Sequence, residues 1–193
     1  MYGPPMAQRR TLTPGYVVVY PNREKSTSKV TKAAVALILL VSVALMLLIT
    51  IGGWSKLEGL KAVNFAWCIA YLLIAYYVMV RWTRGLLPIA AALAVLLLIL
   101  SVISATGISG TSWFDRAHEG FAPPQSLFGG DGLDPNMLGL LTVILVPVQV
   151  LLIVCAMRGF AQAWNVELEV PEEEARRRGF TPAGPPPPSP AAA

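Results

Sequence analysis

The chain has 193 residues, of which 55% are hydrophobic and only 13% charged, with a mean hydropathy of +0.59 and a formal net charge of +4. A soluble domain carries about 25% charged residues, so this composition excludes an ordinary soluble globule and indicates an integral membrane protein. The basic residues flank apolar runs instead of forming one soluble face, which removes nucleic acid as a partner. The single histidine, His118, and the two cysteines, Cys68 and Cys155, give no basis for a multi-histidine metal site, a haem site or a disulfide framework, and no cofactor is expected.

Residues 1–32 are polar and punctuated by Pro and Gly, with one exception. Tyr16-Val17-Val18-Val19-Tyr20 is a β-branched and aromatic run between Gly15 and Pro21, and it reads as a strand. A lone strand is not stable, so it needs a partner. Residues 33–53 follow without a charge. A helix of that length crosses the roughly 30 Å hydrocarbon core of a bilayer and is too long for a signal-peptide core, so it is read as an uncleaved anchor. The second span is 62–80, with Trp67, Tyr71, Tyr76 and Tyr77 inside it and Trp82 just beyond. Ala62, Ala66 and Ala70 recur every four residues on one face and mark a helix-packing surface.

The third span, 85–106, has Pro88 in its first turn, where a missing N–H costs little. Ala90 and Ala94, then Ser101 and Ala105, repeat the four-residue spacing of small side chains. An outer loop, 107–136, separates it from the fourth span, 137–157, which contains Pro147 and Gln149. Pro147 removes one helix hydrogen bond and crowds the carbonyl of Val143, so a kink is predicted there. Gln149 is an amide deep inside a span and must face another helix or a polar cavity rather than lipid. The fourth helix is expected to run on to about Ala163. Residues 165–170 then alternate polar and apolar, a strand pattern, and supply the partner for residues 16–20. Pro171 opens EEEARRRG, a short helix with acids in its first turn, bases in its last and Gly179 as its stop. Residues 180–193 are Pro-rich and are expected to be disordered or polyproline II.

The charges set the threading. Arg9, Arg10, Arg23, Lys25, Lys29, Lys32, Arg81, Arg84, Arg158, Arg176, Arg177 and Arg178 fall on one side of the four spans, and Lys56, Lys61 and Arg116 on the other. The positive-inside rule therefore places both termini in the cytoplasm. The fold predicted is an all-α integral membrane protein, a four-helix transmembrane bundle occupying residues 33–163. It is N-in/C-in, with a small cytoplasmic β-ribbon from the two tails and a cytoplasmic strand and short helix over 164–179.

No Asp, Glu, Lys, Arg or His lies within any span. Intramembrane ionisable groups mark proton relays, ion sites and catalytic centres, so the sequence points away from those functions. In the outer loop, Asp115, His118 and Glu119 fall at helical spacing and form a weak candidate for metal binding or acid–base work. A solvated loop helix is the plainer reading. The leading expectation is a non-catalytic accessory or assembly subunit of a membrane complex, partnered by the lipid bilayer and by other membrane proteins or itself. The alternative is a carrier or channel element for a neutral or lipid-like solute, with Gln149, Pro147 and the tyrosines of the second span lining its path. Alanine-, arginine- and proline-rich usage with few lysines suggests the cytoplasmic membrane of a high-GC bacterium.

Overall fold

A computed structural model describes residues 15–54, 57, 60–106, 112–114 and 132–182. In chain order the elements are β1 (Tyr16–Val19), α1 (Pro21–Glu24), α2 (Ser26–Gly52), α3 (Leu60–Arg81), α4 (Leu86–Thr106), α5 (Pro135–Ala161), β2 (Leu168–Pro171) and α6 (Glu172–Arg177). Helices α2 to α5 are each long and apolar enough to cross a membrane.

The buried positions explain why these four helices lie side by side. On α2 they include Val35, Leu39, Ser42, Met46 and Ile49. On α5 they include Leu138, Thr142, Leu145, Gln149, Leu152, Ala156 and Gly159. Both sets advance in alternating steps of four and three, the 3.5-residue repeat that keeps one seam of a helix against its neighbours. Helix α4 turns Leu87, Ala90, Ala94, Leu97 and Ser101 inward and lies most closely along α5, while α2 touches both α3 and α5. Contact between α3 and α4 is sparse, so the order around the bundle is α3, α2, α5, α4. Small side chains along such a seam allow close packing of two helices. Ala90 and Ala94, both fully buried, provide it between α4 and α5.

The helix ends differ from the hydropathy boundaries for local reasons. Helix α2 begins at Ser26 rather than residue 33, because the backbone hydrogen-bond ladder continues through the charged flank. Helix α5 begins at Pro135, where Asp134 caps it by accepting from the Asn136 N–H at 2.8 Å, and it stops at Ala161. It runs unbroken through Pro147. Among the described residues, two corners use left-handed backbone at residues other than glycine: Trp82 after α3 (φ 52°) and Ala163 after α5 (φ 50°).

The two tails meet beneath one end of the bundle. Strands β1 and β2 pair antiparallel, with Tyr16 opposite Pro171 and Val19 opposite Leu168. The second strand starts three residues later than its alternating pattern suggests, because Trp164 and Asn165 are taken up in the turn that leaves α5. Helix α6 follows directly and packs on both strands. Ion pairs join Glu172 to Arg176 (2.8 Å) and Glu174 to Arg178 (2.7 Å). Gly179 (φ 68°) ends the helix in the left-handed conformation, and the Phe180 N–H returns to the Ala175 carbonyl at 3.0 Å.

Candidate functional site

Gln149 sits 14 residues into α5, about 21 Å along its axis, near the centre of the bundle. It is fully buried. A buried amide must find partners, and this one does so on two other helices. The Tyr71 hydroxyl on α3 donates to Gln149 Oε1 at 2.9 Å, Gln149 Nε2 donates to Ser42 Oγ on α2 at 2.9 Å, and Ser42 Oγ donates to the Ile38 carbonyl at 2.8 Å. Three helices are thereby tied at one depth. The donors all run in one direction and end on a backbone carbonyl, so the chain of bonds is closed. Its members are a phenol, an amide and a hydroxyl, and their bonds join α2, α3 and α5.

The other residues singled out in the sequence are dispersed. Pro147 is exposed on the outer face of α5, since a two-residue step turns about 200° around a helix. Tyr76 and Tyr77 also face outward, so Tyr71 alone of the span tyrosines joins Gln149. Ala62 and Ala66 are exposed and Ala70 half-buried. The face that α3 turns inward carries Cys68, Tyr71, Ile74, Ala75 and Val78 instead. Cys68 and Cys155 are both free thiols. Asp115, His118 and Glu119 lie outside the described residues. Among the described residues, no group of three His, Cys, Asp or Glu side chains is placed to hold a metal ion.

A second constellation, which sequence reasoning missed, clasps the bundle at the ribbon end. Trp164 is fully buried and meets Trp82 edge to face, ring centroids 5.4 Å apart. Its indole N–H donates to Gln162 Oε1 at 2.9 Å, and Gln162 Nε2 donates to Thr31 Oγ1 on α2 at 2.9 Å. Basic side chains close the corners. Arg84 Nε donates to the Phe160 carbonyl at 2.6 Å, Lys32 Nζ to the Met79 carbonyl at 3.1 Å, and Arg23 Nε to the Trp164 carbonyl at 3.1 Å. Cations on the last carbonyls of a helix also offset the negative end of its dipole. Lys32 lies 3.8 Å from the centroid of Trp82, and Arg23 lies 3.7 Å from that of Tyr20. The Tyr20 hydroxyl donates to Glu167 Oε1 at 2.9 Å. That bond to a carboxylate, helped by partial burial and the carboxylate's charge, raises the Tyr20 pKa, while Arg23 opposes the rise. The sequence signal for this clasp is a tryptophan after each of two spans, Trp82 between Arg81 and Arg84 and Trp164 six residues past Arg158.

The chain matches no protein-family model, and comparison with curated proteins and with solved structures finds no similar chain.

Proposed function

We propose that this chain is a multi-pass protein of a bacterial cytoplasmic membrane with both termini in the cytoplasm, acting as a non-catalytic accessory or assembly subunit of a larger membrane complex. The observation that carries this reading is the closed Tyr71–Gln149–Ser42 node. The polar group deepest in the bundle is fully buried and spent on holding three helices together, where a carrier would direct it into a path. Two further features support it. Ala62 and Ala66 leave a small-residue face of α3 open to another helix. The ribbon end gathers Arg23, Lys25, Lys29, Lys32, Arg81, Arg84 and Arg158 next to the spans, the pattern of a cytoplasmic end.

The test is purification from the native host in a mild detergent, followed by mass spectrometry of what remains bound. Stoichiometric larger membrane subunits are the expected result. A chain that purifies alone, with transport activity lost on Gln149→Leu, overturns the proposal in favour of a carrier. Reporter fusions at each terminus read the threading directly. Activity of a periplasmic reporter at either end refutes it.

A further inference from the structure

The ribbon end of the bundle carries more positive charge than its own acids cancel. Lys32 lies one residue before the first uncharged run, Arg81 ends α3, Arg84 precedes α4 and Arg158 sits in the last turn of α5. Lys25 and Lys29 continue the set along α2, so all four long helices contribute at the level where the apolar surface stops. Their partners leave the charge standing. Lys32 and Arg84 bond to backbone carbonyls and stack on aromatic rings. Lys25, Arg81 and Arg158 make no side-chain hydrogen bond or ion pair among the described residues. Among the described residues, Glu24 is the one acid paired with these cations, through an exposed contact with Lys29 at 2.9 Å, and a pair that exposed cancels little. Glu167, Glu169, Glu172, Glu173 and Glu174 lie on the ribbon and α6, past the ends of the long helices, where Glu172 and Glu174 pair with Arg176 and Arg178. The opposite end offers only Lys61 and Asp134 among the described residues.

We infer that Lys25, Lys29, Lys32, Arg81, Arg84 and Arg158 form a belt that binds the phosphodiester headgroups of anionic phospholipids in the leaflet on the ribbon side. Charge complementarity selects the occupant. At the depth where apolar helix surface gives way to cations, the bilayer presents phosphate oxygens, and basic groups near a helix end attract anionic lipid. Trp82 stacked under Lys32 adds an amphipathic ring suited to that depth. Lys32 and Arg84 are pinned by helix-end carbonyls, so their charges are fixed in place before a lipid arrives. The inference rests on bilayer insertion of α2 to α5 and does not depend on the accessory role.

The experiment reconstitutes the full chain in nanodiscs of phosphatidylcholine containing spin-labelled phosphatidylglycerol or spin-labelled phosphatidylcholine, and measures the association of each with the protein boundary. The wild type should prefer the anionic lipid several-fold at low ionic strength and lose that preference near molar salt. The K25Q/R81Q/R158Q variant removes the three cations without a partner, leaving the described contacts intact. Removing these three of the six belt charges should bring the several-fold preference close to parity at low salt. R158Q alone, matched to wild type by thermal denaturation, guards against misfolding of the triple variant. Equal association of the two lipids with an inserted wild type overturns the belt, as does a preference that the variants leave unchanged. A chain that fails to insert overturns the membrane reading itself. Equal association of the two lipids, together with binding of an acidic peptide to the wild type that the triple variant loses, overturns the lipid assignment in favour of a protein partner.

Discussion

Replacing Gln149 by leucine tests the node most sharply. The leucine keeps the volume near that of glutamine and removes both interhelical bonds, to Tyr71 and to Ser42. Such bonds between transmembrane helices average about 0.6 kcal/mol each. Ser42 keeps its bond to the Ile38 carbonyl, but the Tyr71 hydroxyl, fully buried, loses its acceptor. A stranded buried hydroxyl costs about 1–3 kcal/mol. The single variant should therefore lose roughly 2–4 kcal/mol, the sum of two bonds and one orphan. Adding Tyr71→Phe removes the orphan, so the double variant should be more stable than Gln149→Leu alone by about 1 kcal/mol or more. Reversible unfolding in mixed micelles, read by steric trapping, measures all four corners of the cycle. Effects that add within about 0.5 kcal/mol would show that the two residues do not couple, and the node would then not tie the helices.

Four further predictions concern the ends of the bundle. Tyr20 has a raised pKa in the folded chain, so its contribution to stability is complete below about pH 10 and is lost as pH rises through the raised value. Melting temperatures between pH 8 and pH 11 should show an alkaline loss that Tyr20→Phe abolishes. Ala163 holds a left-handed conformation that costs an L-residue roughly 1 kcal/mol, so Ala163→Gly should raise the melting temperature, while Trp164→Ala should cost about 3 kcal/mol by emptying a fully buried aromatic site. A Cβ added at Gly139 would lie 2.7 Å from Cζ of Phe114. Gly139→Ala should therefore displace that ring and destabilise by about 1–3 kcal/mol, with a matching change in protection of the outer segment to hydrogen exchange.

Four spans were legible because a long uncharged run admits few alternatives in a chain with so little charge. The ribbon was legible too, since a valine run between Gly15 and Pro21 and an alternating segment near the far end are each incomplete alone. The direction in which each helix faces was less so. Ala62, Ala66 and Ala70 mark a face without saying whether it turns inward, and α3 instead buries the stripe containing Cys68, Tyr71 and Val78. Gln149 had to be buried on physical grounds. Its partners are a tyrosine and a serine on other helices, and no spacing within one span reveals them. Pro147 could line a path with Gln149 only if both faced the same way, and a two-residue step on a helix turns them to opposite sides. The clasp was missed because hydropathy marks where apolar surface ends, whereas Trp82 and Trp164 meet through two left-handed corners that depend on the packed bundle.

The pairing of the two tails also fixes the order of events during synthesis. Tyr20 and Glu167 are 147 residues apart, so at a translation rate of about 5–20 residues per second the first strand waits roughly 7–30 s for its partner. All four long helices are made in that interval. The ribbon can therefore close only after all four long helices have been made, so the joining of the tails is the late step of this fold.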